Sequence, residues 1–408
     1  MKHLISARPP FLMLGCLCLA AMGYAIVAAE GSGSKNGPPG TVVVANLEYR
    51  EGTNSLVTYP VNRRAEPVAF TKEPDFGQRQ VERGTLRFGS YTNFVIPYAL
   101  DQARSRLYLD LNGNLDLTDD PGGMFTYLAH DRYSHLTVSN VHLAFQTPAG
   151  TRRFLVDLRL GDYGPGGSEH GLGGSISLRS LWAGKMALRD NEWQVGLVAN
   201  PGGPPDSPGA GYLLLRPWAA RNEPIGPHYT TPDLIPLPRR LYWQNQAWLV
   251  NCQLEGQGGV ARWKLELEEE PAKVGELKIS GALLHRVVLI GEPEVTAVLD
   301  APGPVVRLPV GRYVVSKAWL RKGATQALAT PDKSFTVSDQ GAATVTLGGP
   351  LTNSVTATRR GQSLQLTYHL VGAGGDTYRL IGREAAAPPR VAFYRAGKKL
   401  AAGEFVYG

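Results

Sequence analysis

From Thr41 onward, apolar and polar positions alternate over short runs, and clusters of Gly, Pro, Asn and Asp separate one run from the next. "TVVVANLEYR", "NFVIPYAL", "SRLYLDL", "RRFLVDLRL", "GYLLLRP" and "AWLVNCQLE" are rich in β-branched, Leu and aromatic residues and read as strands. Only "PYALDQARSR" has room for a helical turn or two. Closely spaced strands without intervening helices predict an all-β, multi-domain chain built of tandem antiparallel sandwich or barrel modules.

Residues 41–272 form a β-rich region whose halves, 41–165 and 166–272, share a strand–loop–strand layout. Matching Leu109 to Leu197 places Asn112 on Asn200, but Asp110 on Val198 and Asp116 on Pro204. Under that alignment the second loop has lost its carboxylates. "EEEPAKVGELK" marks a boundary, after which "ELKISG", "RVVLIG", "VTAVLD" and "AATVTLG" alternate cleanly. "RLPVGRYVV" resembles the strand–turn–strand of carboxypeptidase regulatory-like, transthyretin-type modules, in which an apolar-Pro-x-Gly-x-Tyr turn precedes a core strand. The resemblance implies a sandwich over 273–350, of a kind that is usually accessory and lacks catalytic residues. The strands of 351–408 suffice for a small Ig-like sandwich.

The first 29 residues read differently. Lys2 and Arg8 precede the apolar stretch "FLMLGCLCLAAMGYAIVAA", and Val27-Ala28-Ala29 offers small residues for cleavage before Glu30. This predicts a signal peptide (1–29), a flexible linker (30–40) and a secreted or periplasmic protein, with no membrane span after cleavage. The alternative is an uncleaved stretch that anchors the chain through its N-terminus. Cys16 and Cys18 leave with the signal, so Cys252 stands alone, in an apolar run that suits a small buried residue.

Charge narrows the partners. Lys and Arg number 42 and Asp and Glu 35, a formal net charge of +7. The basic pairs, such as Arg63-Arg64 and Lys398-Lys399, are scattered, whereas a nucleic-acid groove requires clustering. That excludes a nucleic-acid partner and leaves contact with an anionic cell surface, a glycan or another cell-surface component. Trp182, Trp193, Trp218, Trp243, Trp248 and Trp263 could form a sugar-stacking platform or the core of the second half.

The stretch "LYLDLNGNLDLTDDP" carries the densest chemistry. A two-residue Asn112-Gly113 turn would mix Leu with polar groups on both faces. A three-residue loop, 112–114, pairs Leu111 with Leu115 and Leu109 with Leu117, and sets Asp110 opposite Asp116. Like charges in that position repel, and a shared cation would reverse the sign. The loop resembles the calcium loops of EF-hand and dockerin proteins. With Asp110 at position one, Asn112, Asn114, Asp116 and Thr118 fall on positions three, five, seven and nine. It departs from that pattern at Leu115, which replaces the turn Gly, and at Pro121, which replaces the final acid. Asp119 or Asp120 can substitute for that acid. The expected Ca2+ ligands are therefore Asp110, Asn112, Asn114, Asp116, Asp119 and Asp120. An acidic turn held by side-chain-to-backbone hydrogen bonds is the competing reading.

Other motifs carry less. His130 and His135 flank Asp131 at an odd spacing, which on one strand points them to opposite faces. "GDYGPGGSEHGLGGS" lacks both a phosphate-loop Lys and a nucleophile elbow. No catalytic residue is assigned. The sequence points to a non-catalytic protein for binding or structural support, stabilised by calcium. The alternative is a hydrolase or polysaccharide-active enzyme with its site in the N-terminal region.

Overall fold

The period-two pattern becomes strands whose buried residues follow it. In Val274–Ser280, Gly275, Leu277 and Ile279 are buried while Glu276 and Lys278 are exposed. The computed structural model describes residues 40–89, 94–130, 135–161, 173–204, 209, 211–256, 259, 261–361, 363–381 and 389–405. The expected signal peptide and nearly all of the linker lie outside the described residues. The fold is all-β, with several multi-stranded sheets and no α-helix among the described residues. The stretch read as a possible helix is a strand, Val95–Asp101, followed by a single 3-10 turn, Gln102–Arg104.

Nine strands form a nearly barrel-shaped sheet. Its order is Met124–Thr126, Arg106–Leu109, Val95–Asp101, Glu82–Phe88, Val57–Arg64, Gly173–Leu178, Gly150–Gly161, His135–Thr147 and Leu128–His130. The two outermost strands are consecutive in sequence, separated by Tyr127 alone, so the sheet curls until its edges lie side by side. The lining is apolar, with Leu86, Phe88, Phe94, Tyr98, Phe145 and Phe154 all buried. Arg152 is buried among them, its guanidinium over the rings of Phe94, Phe154 and Trp263.

Val42–Glu51 lies within a larger, 16-stranded sheet and joins two parts of it. Its first six residues pair with Trp263–Glu268 and its last four with Ser180–Ala183, so one strand serves two ladders. The larger sheet runs across the boundary expected near residue 272, because Arg240–Trp243 lies parallel to Val295–Val298. Beyond it, the three-stranded sheet of Val305–Pro309, Val274–Ser280 and Ala343–Thr346 covers a second core of Leu277, Leu289, Val315 and Val345. In the "RLPVGRYVV" segment Tyr313 is buried, its hydroxyl donating to Pro309 O (2.9 Å) and its ring stacked on Phe335. Thr352–Arg360, Ser363–Val371 and Thr377–Ile381 extend the larger sheet, while Arg390–Arg395 and Lys398–Glu404 form a separate two-stranded ribbon.

Candidate calcium loop

The acidic stretch leaves the barrel wall and returns to it. Leu107, Tyr108 and Leu109 are buried between the neighbouring strands. Asp110 N still donates to Pro97 O (3.0 Å), then the chain departs until Leu109 N meets Gly123 O (2.8 Å). The strand that pairs with Arg106–Leu109 is therefore Met124–Thr126, and the three-residue hairpin expected from the Leu spacing does not form. Leu115 adopts a left-handed conformation (φ 66°), and Leu117 packs with Phe76, Ala99 and Tyr108. Asp110 does not face Asp116. Instead Asp116 forms a parallel bridge with Lys72.

Lys72 belongs to an irregular strap, residues 65–81, that sequence patterning gave no reason to place here. Thr71 N donates to Leu115 O (2.8 Å), and Leu117 N donates to Lys72 O (3.0 Å). The strap is held to the barrel by Arg83–Glu73 (2.6 Å), Arg79–Asp101 (2.9 Å) and Arg87–Glu66 (3.1 Å). Arg and Glu at those positions were the available signal, but they recur throughout the chain and carry no period.

All six expected ligands lie in this one loop, and their oxygens are disposed as follows. Asp110 is buried; its Oδ1 accepts from Gly113 N (2.7 Å) and Asn114 N (3.2 Å), and its Oδ2 from Leu115 N (2.9 Å). Gly113 supplies the positive φ (79°) that this turn requires. Asn112 Oδ1 accepts from Asn114 N (2.9 Å), Asn114 Oδ1 from Asp116 N (2.7 Å), and Asp116 Oδ1 from Thr118 N (2.8 Å). These three turns succeed one another at a spacing of two. The amide nitrogens of Asn112 and Asn114 donate to the two oxygens of Asp119 (3.0 and 2.7 Å). Asp120 Oδ1 accepts from Asn112 N (3.0 Å).

One oxygen is left over. Asp120 Oδ2 is buried and has no hydrogen-bond partner. Burial raises the Asp120 pKa, and the nearby Asp110 and Asp119 carboxylates raise it further. Asp116 is the opposite case. The Thr118 hydroxyl and amide hold its pKa down, with Lys72, whose Nζ lies 3.8 Å from Oδ2, adding to the effect. A donor set made wholly of carboxylate and amide oxygens suits a hard cation such as Ca2+. An unpaired, partly desolvated carboxylate oxygen is the group that a cation would satisfy. Among the described residues no three His, Cys, Asp or Glu side chains group as a metal cluster. The Asp110, Asp116 and Asp120 carboxylates therefore do not converge on one point, and a cation here would have to gather them together with the Asn112 and Asn114 carbonyls. Asp119, tied to both Asn amides, orients those carbonyls.

The other motifs separate from this loop. Asn200, the counterpart of Asn112, makes the same turn, its Oδ1 accepting from Gly202 N (3.0 Å). Its loop presents the Asn200 and Pro204 carbonyls to the buried Arg152 guanidinium (3.2 and 3.0 Å). His130 and His135 are cross-strand backbone partners, not two positions on one strand. Asp131, and residues 162–172 of the Gly-rich segment with Asp162, Ser168, Glu169 and His170, lie outside the described residues. Trp182, Trp193, Trp243, Trp248 and Trp263 are buried, which makes them core and not platform. Burial pushes the Cys252 thiol up to about 12, far from a reactive thiolate. No helix among the described residues is long and apolar enough to cross a membrane. No protein-family model matches the chain, and comparison with curated proteins and with solved structures finds no match.

Proposed function

We propose that this chain is an exported, non-catalytic β protein that acts in binding or structural support at the cell surface or in the periplasm. We further propose that calcium in the 110–120 loop stabilises its barrel. The observation that supports the reading is the Asp120 Oδ2 oxygen, buried and without a partner in a loop of oxygen donors. Calcium would supply the positive charge that offsets the Asp110, Asp119 and Asp120 carboxylates.

Thermal unfolding tests this directly. Calcium at the roughly millimolar level of extracellular fluids should raise the melting temperature, since a ligand bound by the native state alone stabilises by mass action. Magnesium, which demands a tighter octahedral shell, should do less. Asp120→Asn should remove most of the calcium response. A melting temperature indifferent to calcium would leave the loop as an acidic turn and sink the reading.

A further inference from the structure

The ribbon of Arg390–Arg395 and Lys398–Glu404 pairs with no third strand. Nearly every described side chain in it is exposed. A lone two-stranded ribbon is marginal in water, so this one gains from a surface that covers it. Its two ends differ chemically. At the base, Arg390 is paired with Glu404 (2.9 Å). At the far end, Arg395, Lys398 and Lys399 have no ion-pair partner among the described residues. Ala396 and Gly397 both take positive φ (48° and 79°), a tight reversal that leaves Arg395 and Lys398 directly opposite each other. Apolar groups share this end with the cations, Tyr394 lying opposite Lys399 on the other side of the ribbon from Arg395 and Lys398. Tyr394 is 64% exposed, and Leu400 is 61% exposed where the ladder slips between Phe393 and Tyr394.

The neighbouring hairpin carries an apolar row of its own beside the base of the ribbon. Phe405 sets its ring 5.5 Å from Tyr368. Tyr368 pairs with Val355, and the same row carries Ala357, Leu364 and Leu366. Val355 and Leu364 are 46% and 53% exposed. A second copy of the chain is a poor cover, because it would set three cations against three in a molecule that, without Lys2 and Arg8 of residues 1–29, is already at +5. The unpaired cations call for an anionic partner. The exposed Leu and Val side chains gain nothing from a hydrophilic polymer, but they do gain at a headgroup–acyl boundary.

We propose that the far end of this ribbon, with both of its faces, docks on the anionic headgroup layer of a lipid bilayer. Arg395, Lys398 and Lys399 pair with lipid phosphates, and Tyr394 and Leu400 enter the interface with the cationic side chains extended past them to the headgroups. The proposal is independent of the calcium loop, and its test is run in EDTA.

The test uses the chain from Glu30, because residues 11–29 are apolar enough to bind lipid unaided. Every described strand lies within the contact unit Gly40–Gly408 and is retained. Co-sedimentation is measured with vesicles of phosphatidylglycerol and phosphatidylcholine, and with phosphatidylcholine alone. Binding is expected on the anionic vesicles, falling as salt rises. Each cation contributes roughly a fivefold factor in partitioning, so the triple variant Arg395→Gln, Lys398→Gln, Lys399→Gln should lose about a hundredfold. Tyr394→Ser with Leu400→Ser should lose severalfold at constant charge. An unchanged melting temperature in each variant shows that the fold is intact. Equal binding to neutral vesicles, no binding to either, or full binding by the triple variant would overturn the proposal. So would retention on an acidic polysaccharide without vesicle binding, or a dimer in light scattering that buries the ribbon.

Discussion

Asp110 and Asp120 sit toward the two ends of one loop and experience opposite surroundings. Three backbone amides converge on Asp110, so its buried charge is well satisfied. Asp120 keeps one buried oxygen with no donor and stands near two other carboxylates. Its raised pKa fixes the sign of its effect. The folded state holds the proton more tightly than the unfolded state, so the Asp120 contribution is fully present below the ordinary Asp range and lost as pH rises through the raised value. Asp120→Asn should therefore stabilise the calcium-free protein at neutral pH, with the gain fading in acid. Asp116 has the reverse sign. Its depressed pKa means that its contribution is present above the ordinary range and lost as pH falls through the lowered value. Asp116→Asn should destabilise the calcium-free protein at neutral pH, because it weakens the contacts to Thr118 and Lys72. Melting curves of both variants in EDTA at neutral and acidic pH check this. Two shifts of the same sign at neutral pH would contradict it.

At the scale of elements, the Tyr313 turn shows how one glycine fits one ring. Gly291 lies opposite Tyr313, and a Cβ built there would stand 2.6 Å from the ring. The ring cannot retreat easily, because Phe335 stacks on it and Pro309 O holds its hydroxyl. Gly291→Ala should cost about 2 kcal/mol as overpacking, whereas Tyr313→Phe should cost about 1 kcal/mol as a lost hydrogen bond. Denaturant titration of the two variants checks the order, and a harmless Gly291→Ala would show that the ring is free to move. Strands such as Val274–Ser280 were legible in sequence because burial on one sheet face imposes alternation. The path of the acidic loop was not legible. Asn112-Gly113 reads locally as a hairpin, but the Asp110 carboxylate gathers three amides, Leu115 turns left-handed, and Leu117 finds its apolar partners in Phe76, Ala99 and Tyr108. Part of that arrangement, Phe76 and the backbone of Thr71 and Lys72, comes from the 65–81 strap, which has no hydrophobic period to announce it. The gathering of oxygen-bearing side chains in one loop was legible, since oxygen donors at alternate positions are a local property.

At the scale of the whole molecule, the stretch near residue 272 reads as a boundary in sequence, yet contacts cross it at several points. Arg286 pairs with Asp300 (2.5 Å) and also donates to Leu215 O and Pro232 O (2.8 and 2.7 Å). Trp243 Nε1 donates to Asp300 (3.1 Å), Lys317 Nζ to His228 O (2.9 Å) and Trp319 Nε1 to Thr230 O (2.8 Å). Trp319 is fully buried and belongs to the core of the N-terminal region, together with Val288, Val298 and Leu328. Sequence could not show this, because a parallel ladder between strands so far apart leaves no local mark. A fragment of residues 275–408 would uncover the Trp319 side chain, roughly 200 Å² of apolar surface, at about 5 kcal/mol. That is comparable to the whole stability of an ordinary domain, about 5–15 kcal/mol. The second core around Leu277, Val287 and Val315 would keep its strands paired. The fragment should therefore be compact but loosely packed, binding apolar dyes and giving poorly dispersed amide resonances. Trp319→Ala in the chain from Glu30 should likewise lower its stability by about 3–5 kcal/mol. Sharp amide dispersion in the fragment, together with a mild Trp319→Ala effect in the longer chain, would show that the second core is sufficient alone and that the crossing contacts only orient it.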